Sequence, residues 1–278
     1  LGGRNIGDEY FDAHAELNFR DRDVVAIGPV VADTADMFDA FWNSVLARPV
    51  TEFGNAVRAG DMQSRATQAA ADSARIAQLY GALPQDGAAG LGHVADSIEA
   101  MRWAPARLVH DNPPSDAALA DTSITQASAA ALGEVAAGAR EEILIESAYL
   151  VLDQQSVDAM RALHARGVRL RALTNSLASN DVTANHGAYA RRRDAILASG
   201  VELHEMRPDA ASCRDLVLNG SACGKGHVFG LHAKTFVFDR RTVYVGSLNL
   251  NLRSRFLNAE SGLVIESPEL AAEIAADI

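Results

Sequence analysis

The chain has 278 residues, enough for one large or two medium domains, and 48% of them are apolar, enough for a sizeable core. Its formal net charge of −11 argues against a broad non-specific nucleic-acid surface, which needs clustered Lys and Arg, but leaves room for a small basic pocket. No run of about 18 apolar residues occurs, so no transmembrane helix is expected within this stretch. The start, Leu1-Gly2-Gly3, has neither a charged n-region nor an apolar h-region and reads as the middle of a longer protein.

Residues 24–27 read as a strand. Asp33 or Thr34 is expected to cap a helix reaching about Leu46, whose stripe of Met37, Phe38, Phe41, Trp42 and Val45 reads as core. Residues 58–83 are Ala-rich and polar, a helix or helix pair, and residues 84–92 read as a linker from their Gly and Pro content. A short strand over 106–110 opens a second domain near residue 104. From Thr122 onward the pattern alternates. A helix is expected over 123–139, a strand over 142–147, and a helix capped by Asp153 that carries Val157, Met160 and Leu163 and stops at Gly167. A strand over 168–174, a helix over 184–199 stopped by Gly200, and a strand over 201–206 follow. Both helix-to-strand joints read A-x-G-V-x-L, as expected if each glycine closes its helix in the left-handed conformation. Such alternation argues a largely parallel sheet covered by helices, and the runs 235–238 and 242–245, joined at Asp239-Arg240-Arg241, add an antiparallel hairpin.

Sites in such sheets lie beyond the carboxyl ends of the strands, which makes Tyr149 and Asn175 near-site candidates. His186 and Tyr189, three apart on one helix face, are further candidates, with helix-to-loop packing an equal alternative. Cys213 and Cys223 sit in a glycine-rich loop. A disulfide is open to them in an exported protein, whereas a zinc site would need two more ligands, with His227 one candidate.

The chemistry concentrates in residues 230–266. His232, Lys234 and Asp239 stand in the spacing H-x-K-x4-D, Gly246, Ser247 and Asn249 follow as G-S-x-N, and Glu260 comes later. Residues two apart on a strand share a face, so His232 and Lys234 point into one pocket, and the loop after the second strand returns Ser247 and Asn249 to it. An imidazole, an ammonium, an amide and a hydroxyl can bind and attack a phosphate ester without a metal. A plain surface hairpin with a stray His and Lys would leave G-S-x-N unexplained.

The first residues echo this motif. Gly2-Gly3-Arg4-Asn5 parallels Gly246-Ser247-Leu248-Asn249, Asp21 parallels Glu260, and Pro29 parallels Pro268, with Glu16 the alternative match if the first copy carries no loop insertion. Two copies are therefore expected: 1–103 as the remainder of a first copy plus a helical linker, and 104–278 as the second copy with the complete motif. Asn5 should then lie close to His232, Lys234 and Asn249.

The constellation resembles the catalytic motif of the phospholipase D superfamily. The runs GGRNIGDEYF, AIGPVV, LHAKTFVFD and VGSLNLNLRS, with Ala165-Arg166-Gly167-Val168, look most like its bacterial cardiolipin synthase branch, and the likeness covers nearly the whole chain. The resemblance implies a phospholipase D α/β fold with a mixed, largely parallel sheet flanked by helices, in two pseudo-symmetric copies of which the first is truncated. It implies phosphatidyl transfer on glycerophospholipids of the phosphatidylglycerol or phosphatidylethanolamine class through a phospho-histidine. Neither metal nor other cofactor is implied, and no nucleic-acid partner; the partners are a membrane surface, to which the protein is peripheral or anchored, and an N-terminal half of the same protein. A histidine of that half would be the nucleophile and His232 the general acid/base. Lys234 and Asn249 would hold the non-bridging oxygens, with Asn5 joining from the other copy. Each imidazole needs a carboxylate on its far nitrogen: Glu260 is assigned to His232 and Asp21 to the other histidine. Asp239, although part of the motif, reads as a turn and packing residue. Ser247 completes the catalytic group, and Asn5, Asp21, Tyr149, Asn175, His186 and Tyr189 form the expected substrate-binding set. A hydrolytic phospholipase D, a nuclease of the superfamily and a non-catalytic scaffold are the alternatives.

Overall fold

The computed structural model describes residues 1–14, 16–54, 59–80, 87–113, 126–209, 213–216, 223 and 226–278. In chain order the elements are a 3-10 turn (Asp8–Tyr10), β1 (Leu17–Arg20), α1 (Val30–Trp42), a second 3-10 turn (Val50–Glu52), α2 (Ala59–Tyr80), α3 (Gly87–Glu99) and β2 (Ala106–His110). Then come α4 (Ala127–Gly138), β3 (Glu142–Ser147), α5 (Gln154–Ala165), β4 (Arg169–Asn175), α6 (Thr183–Ala190), α7 (Arg193–Ala198) and β5 (Val201–Met206). The last stretch holds α8 (Cys213–Leu216), β6 (Val228–Leu231), β7 (Lys234–Phe238), β8 (Thr242–Gly246), α9 (Leu252–Phe256), β9 (Ser261–Glu266) and α10 (Pro268–Asp277).

A seven-stranded sheet in the order β2-β9-β8-β7-β3-β4-β5 carries the second half of the chain. Only β3–β4 and β4–β5 are parallel, while β7 pairs antiparallel with both β3 and β8, and β9 pairs antiparallel with β8 and β2. The sheet is thus mixed, as expected, but its antiparallel pairs outnumber its parallel ones. The helix-bearing crossovers connect only β3, β4 and β5, and the hairpin inserts against β3 from the other side. Alternation divides the core. Ile143, Ile145, Phe236 and Phe238 face α4 and α5, while Leu144, Val237, Val243 and Val245 face Ala271 and Ile274 of α10.

Several local signals act as their chemistry predicts. The Asp153 carboxylate caps α5 by accepting from the Ser156 N–H at 2.8 Å. Gly167 and Gly200 take φ of +89° and +94° where α5 and α7 end. Asp239 and Arg240 take φ of 51° and 49°, and the Arg241 N–H closes the hairpin turn onto the Phe238 carbonyl at 3.0 Å. The Asp239 carboxylate also accepts from the backbone N–H groups of Arg140, Glu141 and Glu142. Burial alone would raise its pKa, but these three donors hold it below the usual carboxylate range. Asp239 therefore ties the hairpin to the start of β3 and stands at the far end of β7 from Lys234.

Other expectations need correction. Residues 24–27 form no strand; of them only Val24 pairs, through reciprocal backbone bonds with Leu1 at 2.7 and 2.9 Å beside the antiparallel Gly2–Asp23 bridge. Helix α1 starts at Val30, ahead of Asp33, with no side-chain cap, and Phe38, Trp42 and Val45 of its stripe are exposed rather than core. Residues 87–92 belong to α3, so the linker reading fails there; residues 84–86 lie outside the described residues. The helix expected over 123–139 is described only from Ala127. The single helix expected over 184–199 is two, broken at Arg191-Arg192. Cys213 and Cys223 form a disulfide, which leaves no thiolate for zinc.

Candidate active site

β1 and β6 pair in parallel as a separate two-stranded ribbon, Leu17 opposite Val228 through Arg20 opposite Leu231. This ribbon brings the first residues of the chain to the motif. Beyond it the Arg20 carbonyl accepts from the His232 and Ala233 N–H groups at 2.8 and 3.1 Å. Alternation then sends Arg20 and Arg22 one way and Asp21 the other. Both arginines converge on Glu146 of β3, which has no exposed side-chain surface, at 2.9 and 3.2 Å, and both also reach Asp277. A buried carboxylate is tolerated here because it is doubly paired. The clamp turns Asp21 inward, and its Oδ2 lies 2.8 Å from Nδ1 of His232, 211 positions away in sequence.

His232 is boxed on its other sides. Its ring meets Tyr10 edge-on at 4.9 Å and Phe19 at 5.5 Å between centroids. The Lys234 Nζ lies 2.9 and 3.0 Å from the two ring nitrogens and also donates to the His232 carbonyl. Lys234 is 2% exposed, and burial pulls its ammonium pKa down to about 8 against the opposing pull of Asp21, Glu260 and Asp181. Gly3 explains how the first motif approaches so closely: a Cβ there would lie 2.8 Å from Lys234 Cδ and 3.1 Å from the Gly246 carbonyl oxygen.

The depressed Lys234 pKa carries a stability cost with a definite pH window. In the unfolded chain the amine holds its proton up to its ordinary value of 10.5, whereas in the folded chain it loses it near 8. The unfolded state therefore binds more protons between these values, and stability rises with pH across that window. The cost of the charged form is on the order of 3 kcal/mol from the shift in pKa. Lys234→Met is accordingly expected to raise the unfolding free energy at pH 7, and the gain should shrink as pH climbs from 8 toward 10.5. Denaturant titrations of both proteins across that range check this; a gap that is constant with pH would contradict it.

Glu260 does not contact His232. Its carboxylate accepts from Ser247 Oγ, from Ser254 Oγ at 2.6 Å and from Asn258 Nδ2 at 3.0 Å. Its backbone is fixed by Asp111, whose carboxylate takes the Glu260 N–H at 2.8 Å and also holds Ser128 at the start of α4. The partner of His232 is Asp21, so the assignment of Glu260 to this ring is corrected. The ladder also decides the repeat register. Gly2 bridges Asp23 as Gly246 pairs with Gly262, and Leu1 bonds Val24 as Val245 pairs with Leu263. Asp21 therefore falls opposite Glu260 in the repeat, not Glu16.

The remaining candidates divide. Asn5 donates to the Tyr10 hydroxyl at 2.8 Å, which places it one residue removed from His232. Asn249 follows β8 in the loop that bonds back to β3, where the Leu250 N–H meets Ser147 Oγ at 3.2 Å. Tyr149 donates to both oxygens of Asp181 at 2.9 and 3.0 Å. Burial first, then Asp181, pushes its phenol pKa up. Asn175 is buried and spends its amide on the backbone, binding the Leu231 N–H and carbonyl at 2.8 and 2.7 Å, so it fixes the residue before His232 instead of meeting substrate. Tyr189 donates to Glu205 of edge strand β5 at 2.7 Å and packs on His186, contacts that fit the helix-packing alternative. Tyr10, Asp181 and the Arg20–Glu146–Arg22 clamp were not found from sequence. Of these only Glu146, a charge inside the apolar run of β3, carried a readable signal.

The cluster offers a buried imidazole backed by a carboxylate, beside an ammonium able to hold an anionic oxygen. Among the described residues no group of His, Cys, Asp and Glu is placed to hold a metal ion. No helix there is long and apolar enough to cross a membrane.

Comparison with known proteins identifies the family. Cardiolipin synthase C of Escherichia coli is 37% identical over 98% of this chain, which covers 56% of that protein. An uncharacterized Helicobacter pylori protein is 27% identical over 99% of this chain and is covered over 53% of its length. The chain thus spans about half the length of these relatives. Among solved structures, the phospholipase D family member Nuc of Salmonella typhimurium aligns with a TM-score of 0.42 and 18% identity, over 63% of this chain and 91% of that one. The family model described as cardiolipin synthase, PLD-like domain, matches residues 134–278, more than half of the chain, and the chain belongs to that phospholipase D family.

Proposed function

We propose that this chain is the C-terminal part of a phosphatidyltransferase that moves a phosphatidyl group between glycerophospholipid alcohols, with His232 as general acid and base. The observation that carries this reading is the Asp21–His232–Lys234 cluster, assembled from both ends of the chain. A phosphodiester must be attacked at phosphorus while an alkoxide departs. A histidine in the other half of the protein forms the N–P bond, the P–O bond to the leaving alcohol breaks, and His232 delivers its proton to that oxygen. The acceptor alcohol then gives its proton to His232 and its oxygen attacks phosphorus, which releases the first histidine. Asp21 keeps the imidazole oriented and stabilises its charged form, while Lys234 and Asn249 hold the non-bridging oxygens.

Two features support a first copy beyond the present residues. In the repeat Pro29 and α1 stand where Pro268 and α10 stand. Helix α10 buries Ala271 and Ile274 on its sheet, whereas α1 exposes Phe38 and Trp42, and Val25 and Ile27, past the Leu1–Val24 pair, are exposed as well. A first-copy sheet would cover both. By the same symmetry Glu260, the counterpart of Asp21, serves the first-copy histidine. Residence at a bacterial membrane, peripheral or anchored, follows from a lipid substrate.

Full-length protein with acyl-labelled phospholipid and added glycerol or phosphatidylglycerol, in chelator, is expected to form the labelled transferred phospholipid. Phosphatidic acid as the sole product would replace transfer by hydrolysis, and loss of turnover in chelator would refute the metal-free mechanism.

A further inference from the structure

We propose that the cleft between α4 and α5 is an acyl-chain subsite, receiving one hydrocarbon tail of the phospholipid whose phosphate is held at Lys234; this rests on the lipid reading above. The cleft has a volume of about 310 Å³. That lies near the lower end of the roughly 300–1,000 Å³ typical of small-molecule sites. Its floor is the face of the sheet formed by Ile143, Ile145, Phe236 and Phe238. One wall is the small-residue side of α4, where Gly133 and Ala136 leave space that a larger side chain would fill. Cleft volume left without side chains costs stability, and water gains few partners on such a floor. A flexible apolar chain satisfies it best.

Position ties the cleft to the reaction. Lys234, Phe236 and Phe238 share one face of β7, so the cleft floor begins one side-chain step, roughly 7 Å, from the phosphate-binding lysine. Asn249 of the G-S-x-N motif lines the same cleft, and its Oδ1 is buried without a hydrogen-bond partner. At the rim Arg255 is neutralised by Asp153 at 2.9 Å and also bonds Gln155, so no unpaired charge opposes entry of a tail there.

A Cβ added at Gly133 meets nothing within 4 Å, so Gly133→Leu fills the cleft without displacing α4, and leucine favours helix. Ala136→Leu is the second blocking variant should the first fold poorly. Each is made in the full-length protein and checked by thermal unfolding. Two readouts are taken: binding of dansyl-undecanoic acid, and kcat/KM on dioleoyl against dihexanoyl phosphatidylglycerol. The expected result is that wild type binds the probe, the variant binds it at least tenfold more weakly, and turnover falls at least tenfold on the dioleoyl lipid while dihexanoyl turnover is kept. Equal losses on both lipids, no loss on either, or no probe binding by wild type because another segment covers the cleft would each overturn the subsite. Probe binding that the variant loses, with neither lipid turned over by wild type, would uphold the subsite and refute phosphatidyl transfer.

Discussion

Asp21→Asn in the full-length protein is expected to lower phosphatidyl transfer by about 10²- to 10⁴-fold, the range of general acid–base assistance, with little change in fold. The carboxylate lies 2.8 Å from His232 Nδ1 and has no exposed side-chain surface, so solvent cannot replace it. The amide keeps the shape but loses the negative charge that stabilises the imidazolium in each proton transfer. The arginine clamp on Glu146 fixes the Asp21 backbone independently of that charge, so geometry should survive. The diagnostic is a double-mutant cycle. Because Asp21 acts mainly through His232, Asp21→Asn should add far less in a His232→Ala background, where only its support of the Lys234 charge remains. Additive losses would show that Asp21 works elsewhere, and an unchanged rate in the single variant would remove it from the mechanism.

The sequence was most legible where one local rule decides the outcome. β2, β3 and β5 fall on the expected residues because β-forming runs are closed by turns or by glycines that must adopt positive φ. The same reasoning missed the sense of the sheet, since helix–strand alternation describes the β3–β5 crossovers and is silent on which strand the β7–β8 hairpin joins. In α1 the periodicity correctly marks an apolar stripe but cannot say what covers it, and Phe38 and Trp42 are exposed.

The site shows the same division. Spacing alone brings His232 and Lys234 together, and the repeat singles out Asp21 and Glu260 as a matched pair. Which carboxylate meets His232 is a tertiary fact: the β1–β6 ribbon carries Asp21 across to the second motif, and Glu260 turns to Ser247 and Ser254. The strand-end position of Asn175 points to the site. Its amide is instead consumed by the Leu231 backbone, which local sequence does not reveal. Tyr10 and Asp181 reach the site from loops with no motif of their own.

The second large expected effect concerns residues 1–278 taken alone, which we expect to be inert on phospholipids. A double displacement needs a nucleophile and a separate proton donor, and this chain has one histidine in an H-x-K-x4-D setting. Of the others, His186 packs on Tyr189 and His204 pairs with Glu202 at 2.9 Å, both away from the cluster. A symmetric dimer would have to place a second His232 against the first, but Asp21, Tyr10 and Phe19 already close on that ring. The most direct test is phosphatidyl transfer measured side by side for purified 1–278 and the full-length protein, both in chelator. The split-site account predicts turnover by the full-length protein and none by 1–278. Robust transfer by 1–278 that disappears in its His232→Ala variant would contradict it.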